Sequence, residues 1–301
     1  MASVVDTAQE FGVIKPALEV ASTTLALEFK FNDATGRTVL AASRQEPPLK
    51  VVRAFPISNG AVLAHLHNVS GGLLGGDNLK LDVRIDRQAR VQLTTTGATR
   101  IYRPRAGSAA TVQSNDIAIG ENALLEYLPD PLIPFAASRF AQRTMIRLAP
   151  GAGLFWWEIL SPGREARGEL FEYERVQMKT EILADGRRLA VEHVDLEPRK
   201  RALSSLARLG PYRTYAAFYI CQSGREPGTW LALEQNLRGV CYQYARPGEI
   251  LWGFSTLASH GLMARCLAKR GREITPGLHA IWNAAKMQLY GCRAEPPRKV
   301  N

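Results

Sequence analysis

Apolar and polar residues alternate with a period of two along the first two-thirds of the chain. Leu79, Leu81, Val83 and Ile85 fall on one side of the pattern while Lys80, Asp82, Arg84 and Asp86 fall on the other, which is the mark of a strand buried on one face. A polar turn at Arg87 and Gln88 follows, and Val91 and Leu93 begin another strand. The same unit of strand, short turn and strand recurs over 116–128 and 144–160, and again around the turn Asp185-Gly186-Arg187. Such units follow one another at about thirty residues, and each exposes an apolar face that only a neighbour can cover. Upstream, Thr24 to Phe31 and Thr38 to Ala42 flank Asp33 to Gly36 as the arms of a hairpin. Residues 21–200 are therefore expected to be almost wholly strand and turn.

The C-terminal third is mixed. A short helix is predicted over Trp230 to Leu237 with Thr229 as its cap, and strands over Cys241 to Tyr244, Ile250 to Phe254 and Gly261 to Cys266. The clearest helix starts with Thr275 as N-cap and Pro276 in the first turn, where the missing donor of proline costs nothing. It sets Leu278, Ile281, Trp282, Ala285 and Leu289 on one stripe, core or interface, and ends before Gly291, a good C′ residue. Beyond it, Glu295-Pro296-Pro297-Arg298-Lys299 cannot continue a helix. The fold class that follows is mainly β, with strand units stacked in a helical or layered architecture and a few α-helices, one of them near the C-terminus. Without a low-complexity linker, the expected organisation is an N-terminal extension over 1–20 and a single β-rich domain over 21–301.

Composition narrows the class further. At 46% hydrophobic and 22% charged residues, the 301-residue chain is neither disordered nor collagen-like. Cys221, Cys241, Cys266 and Cys292 are far apart and form no CxxC pair, which fits a reduced, cytosolic setting. The first residues resemble neither a signal peptide nor a transit sequence. No apolar run approaches the ~18 residues of a membrane helix, so no membrane partner is expected. The formal charge of +10 comes mostly from arginine, 29 residues against 9 lysines. Arginine suits bidentate pairing with carboxylates, and no nucleic-acid-binding motif accompanies it, so a protein partner is favoured over nucleic acid.

Several stretches carry candidate chemistry. In the run from His65 to Asp77, His65 and His67 share a face if the segment is a strand, and the Asp77 carboxylate could complete a metal site with Ser70 nearby. The glycine pairs around Leu73 and Leu74 equally suit close backbone packing, and neither a P-loop nor a dinucleotide fingerprint is present. The segment Thr94 to Arg105 groups hydroxyls with Arg100, Arg103 and Arg105, fitting an anionic ligand or a solvated face. Acidic residues also sit within or beside apolar strands: Glu126, Asp130, Glu158 and Glu165, then Glu169, Glu172 and Glu174. A carboxylate in a β stack must be paired, hydrated or metal-bound. Ion pairs with Arg164, Arg167 and Arg175 are the plain reading; a glycosidase acid and base is the catalytic one. No serine-hydrolase elbow or HExxH motif is present.

The blocks SGGLLGGD at Ser70 to Asp77, LTTTGATRIYRPR at Leu93 to Arg105, LLEYLPDPLIPFA at Leu124 to Ala136 and GLFWWEILSPGREARGE at Gly153 to Glu169, with the closing Pro296-Pro297-Arg298, resemble the UreD family of urease accessory proteins, called UreH in some organisms. Their order and spacing match over about residues 21–300. The resemblance implies a non-catalytic role: such proteins work with accessory protein F and, through it, the accessory GTPase G to deliver Ni²⁺ to apo-urease. It also implies a β-stack fold and no tightly bound cofactor, Ni²⁺ being transient cargo. A delivery protein must hold its ion weakly, so a polar passage suits the task better than a tight cage. Asp77, Glu126, Asp130, Glu158 and Glu165 are the expected carboxylates of such a passage, with His65, His67 and Ser70 as further candidates. Arg100, Arg103, Arg105 and Trp282 are the expected partner contacts.

Overall fold

The computed structural model describes residues 22–297, so the extension expected over 1–20 lies outside the described residues. Two sheets face each other. The first has seven strands: β1 (Thr23–Asn32), β2 (Arg37–Gln45), β6 (Asn78–Ile85), β9 (Thr111–Ile119), β12 (Arg139–Leu148), β14 (Arg175–Ala184) and β15 (Arg187–Leu196), in the order β15-β14-β12-β9-β6-β1-β2. The second has eleven: β3 (Leu49–Lys50), β4 (Ala54–Pro56), β5 (Val62–Asn68), β7 (Arg90–Thr95), β8 (Thr99–Ile101), β10 (Leu124–Tyr127), β11 (Leu132–Pro134), β13 (Gly153–Leu160), β16 (Thr214–Gln222), β17 (Ile250–Thr256) and β18 (Gly261–Ala268).

From β6 to β14 the chain winds. It lays a strand in the first sheet, crosses through a short turn to the second, and returns to pair in parallel with the strand it left. Gln113 of β9 lies beside Leu79 of β6 and Gln142 of β12, and Gln142 lies beside Met178 of β14. Leu124 of β10 likewise lies between Arg90 of β7 and Gly153 of β13. Each winding takes about thirty residues, as in solenoids whose units cover one another's apolar faces. Antiparallel hairpins close both ends of the first sheet, β1 with β2 and β14 with β15. The stacked architecture expected from the alternation is present, and Leu79, Leu81, Val83 and Ile85 all point inward and are buried.

Two helices, α1 (Pro227–Tyr242) and α2 (Ile274–Tyr290), cover the outer face of the second sheet. The short helix predicted over 230–237 is longer than expected. It starts at Pro227 behind an extended Glu226, runs through Thr229, and absorbs 241–242 of the predicted strand over 241–244. The buried series Trp230, Leu233, Leu237 and Cys241 keeps helical spacing to its end, and that burial outweighs local strand preference. Helix α2 starts at Ile274 behind Glu273, so Thr275 is not its cap; burial of Ile274 against the sheet draws the first turn back. Its predicted stripe is fully packed core, and Gly291 ends it at φ 67°, where a β-carbon would be strained. No helix among the described residues is long and apolar enough to cross a membrane.

Candidate functional site

Between the sheets the packing is not uniformly apolar. At one level Val83, Ile117, Ile146 and Ile182 lie side by side across neighbouring strands and are buried in one apolar cluster. At another, Phe140 and Val176 belong to a separate cluster with Tyr173 and Leu160. The two intervening levels carry polar groups. One runs through Gln113 and Gln142, and the other through Asn115, Thr144 and Thr180 to Glu192 of β15. The groups satisfy each other: Gln113 Nε2 donates to Asn115 Oδ1 at 2.9 Å, and Asn115 Nδ2 donates to Thr144 Oγ1 at 3.0 Å. A buried polar row costs stability unless its donors and acceptors are paired, and here they are paired within β9 and across to β12.

Glu158 faces this band from β13. It shares the inward side with Trp156, and Gln142 Nε2 donates to its Oε1 at 2.5 Å. Burial is the main cause that pushes its carboxyl up to about 8, and the nearby negative charge of Glu192 adds to it. Hydrogen bonds from Gln142 and Thr180 pull the other way. Glu158 therefore carries a proton near neutrality, while an arriving cation would favour its ionised form. Asp130 stands in the turn after β10, where Thr95 Oγ1 donates to its Oδ2 at 3.0 Å and its own N–H donates to Thr95 Oγ1 at 2.8 Å.

Separate cavities border the band. A cavity of ≈ 60 Å³ is lined by both Asp130 and Glu158, together with Gln113, Asn115 and Gln142. A second, of ≈ 240 Å³, is walled by Asn68, Gly71, Gly72 and 95–100. The two share Thr95, Thr99, Gln113 and Tyr127 as lining residues. A third, of ≈ 390 Å³, lies at the β15 end and is lined by Glu192, Arg213, Tyr215 and Arg265 among others. At Gly72 the wall of the second cavity is drawn tight: a β-carbon there would stand 2.6 Å from the Tyr102 ring and 2.7 Å from the Arg100 carbonyl oxygen.

The remaining predicted residues separate. Glu126 does not face the space between the sheets. It lies on the opposite side of the second sheet, where Lys286 Nζ donates to its Oε2 at 2.9 Å and Trp282 Nε1 to its Oε1 at 2.7 Å. Trp282 is itself completely buried under that sheet, so the contact surface expected of it is absent and its indole serves the core. Glu126 and Glu158 therefore stand on two sides of one sheet and cannot form an acid and base pair. Glu165 sits exposed on a 3-10 turn, 3.7 Å from Arg213, and Glu169 is tied to Arg164. Asp77 is half-buried and accepts the Leu74 N–H at 2.8 Å, closing the loop in which Ser70 N–H is bound by Asn68 Oδ1.

His65 and His67 do share one face of β5, and burial with the neighbouring His65 lowers the His67 pKa. Asp77 does not join them: among the described residues no group of three or more His, Cys, Asp or Glu side chains is arranged to hold a metal ion. Arg100, Arg103 and Arg105 are all exposed, and Arg100 Nη1 donates to the Gly71 carbonyl at 3.3 Å. They stand beside the glycine-rich wall of the second cavity.

Sequence reading missed Glu192 and Arg265. In β15 the alternation of Leu189 and Val191 suggests that Glu192 faces solvent. A bulge between Ile182 and Leu183 in the partner strand's register shifts the pairing, so Glu192 turns inward beside Thr180 and Val191 is 55% exposed. Only the long-range pairing carries that information.

A family model described as UreD urease accessory protein matches residues 22–301. A urease accessory protein UreD of Herpetosiphon aurantiacus is 41% identical to this chain, over 92% of it and 95% of the relative. One of Cenarchaeum symbiosum is 31% identical over 92% of this chain and 96% of the relative, and a urease accessory protein UreD 2 of Brucella abortus is 29% identical over 88% of each.

Proposed function

The chain belongs to the UreD family of urease accessory proteins, and from that premise we propose that it is a non-catalytic conduit that hands Ni²⁺ to apo-urease through the space between its two sheets. The observation that carries this reading is the polar band with its adjoining cavities, on which Asp130 and Glu158 both open. Single carboxylates and neutral oxygen donors hold a divalent ion loosely enough to exchange it, whereas a three- or four-ligand cage would trap it. Glu158 suits the task because it waits protonated and ionises only as a dication arrives. Asp77, half-buried in the loop that leads to the cavity wall, belongs to the approach rather than to the interior.

The exposed Arg100, Arg103 and Arg105 dock an acidic face of accessory protein F or of apo-urease, and the GTPase accessory protein G joins through F. Residence in the cytoplasm fits four cysteines that remain free thiols.

The test is activation of urease in a heterologous host, scored as nickel per urease active site. Omitting this chain should leave urease nearly without nickel. Charge reversal at Arg100, Arg103 and Arg105 together should lower co-purification with the partners and activation at least tenfold, with the circular dichroism unchanged. Full metallation without the chain would end the proposal, and unaltered complexes of the charge-reversed variant would remove the docking surface.

A further inference from the structure

We propose that Arg265 is a resident cation that fills the place of the dication at Glu192 and keeps the β15 end of the passage closed until it is drawn away. The inference rests on the passage reading above and adds its regulation. Glu192 is the last polar group of the band, and every donor aimed at its carboxylate comes from the second sheet. Tyr215 Oη donates to Oε1 at 2.5 Å, Tyr219 Oη donates to Oε2, and Arg265 Nη2 lies 3.4 Å from Oε2. With the guanidinium in place the charge of Glu192 is balanced, and an incoming dication meets a positive group instead of a free carboxylate.

Position supports the same conclusion. Glu158, Ala217 and Arg265 lie in register across β13, β16 and β18. The residue between them in that row is the small Ala217. The Glu192 charge is felt at Glu158, so the two carboxyl groups lie within electrostatic reach of each other. On the far side, Arg265 and Glu192 both line the ≈ 390 Å³ cavity. The Arg265 side chain is 49% exposed against 16% for Glu192, so the guanidinium is the more accessible of the two from outside. The same cavity holds an unpartnered polar group: Tyr173 is 1% exposed and its hydroxyl has no hydrogen-bond partner among the described residues. A carboxylate presented by a docking partner could take the guanidinium, freeing Glu192 for the ion; a hydrated dication entering there would find the Tyr173 hydroxyl waiting.

The experiment measures nickel retained by the complex of this chain with its accessory partners, by equilibrium dialysis against micromolar NiCl₂. Arg265→Met should raise retained nickel several-fold, Arg265→Lys should behave as the parent, and Glu192→Gln added to Arg265→Met should cancel the gain. Arg265→Gln, which keeps a donor for Tyr215 without the charge, provides the same readout if the methionine variant folds poorly. Parent-like nickel retention in both the methionine and glutamine variants would overturn the proposal. Glu158→Gln separates this from the parent reading: if it impairs urease activation while the Arg265 variants retain no extra nickel, only the resident-cation proposal fails. If it leaves activation untouched, the passage itself fails.

Discussion

The two faces of the second sheet meet the same problem, a carboxylate among apolar strands, and solve it in opposite ways. On the helix side Glu126 is sealed beneath α2 with Lys286 and Trp282 as its partners. On the side facing the first sheet Glu158 has neutral partners, no paired cation, and a cavity next to it. The first arrangement fixes structure, because a buried ion pair tolerates neither removal nor exchange of one member. The second leaves a group whose charge is unsettled, which is what a site that must accept and release a cation requires. A glutamate's sequence neighbours are alike in the two cases; the face it occupies decides its role.

The largest expected effect breaks the comparison on the helix side. Lys286→Met leaves the Glu126 carboxylate buried without its cation and should cost about 3–5 kcal/mol in urea unfolding. Replacing both members, Glu126→Leu with Lys286→Met, should cost less than the single change. Trp282→Asp should prevent folding rather than weaken docking, as read by circular dichroism. A cost below about 1 kcal/mol for Lys286→Met would mean that the pair is not the anchor described here.

A smaller effect is expected on the cavity side, through pH. The folded value of Glu158, about 8, lies above the ordinary glutamate value of 4.5, so the folded chain binds a proton that the unfolded chain loses in between. This contribution is complete below the unfolded value and is lost as pH rises through the folded one. Glu158→Gln cannot lose it. The variant should therefore gain stability on the parent as pH rises, by on the order of a few kcal/mol at alkaline pH, with the gap closing toward pH 5. Urea midpoints across that range check it, and a gap independent of pH would show that Glu158 ionises normally.

Much of the fold was legible in the residues. Strict alternation over 79–86 placed four inward side chains correctly, and the turn residues Asp33 to Gly36 and Asp185 to Gly186 marked real hairpins. The site was only half legible. Alternation gives relative faces within one strand, but whether the even or the odd face of β10 looks to the helices depends on which elements cover it. Glu126 and Glu158 therefore read alike until the helical layer was placed. Glu192 was hidden by a bulge, and Trp282 by the fact that a core stripe and an interface stripe have the same sequence pattern.

The central claim is that nickel travels between the sheets past Asp130 and Glu158. Its most direct test is the nickel content of urease matured with a chain carrying Asp130→Ala and Glu158→Ala together, once that chain is shown to fold and to co-purify with its partners. Nickel per active site should fall at least fivefold while the complexes remain intact; urease filled to the parental level by the doubly substituted chain would rule out a route between the sheets.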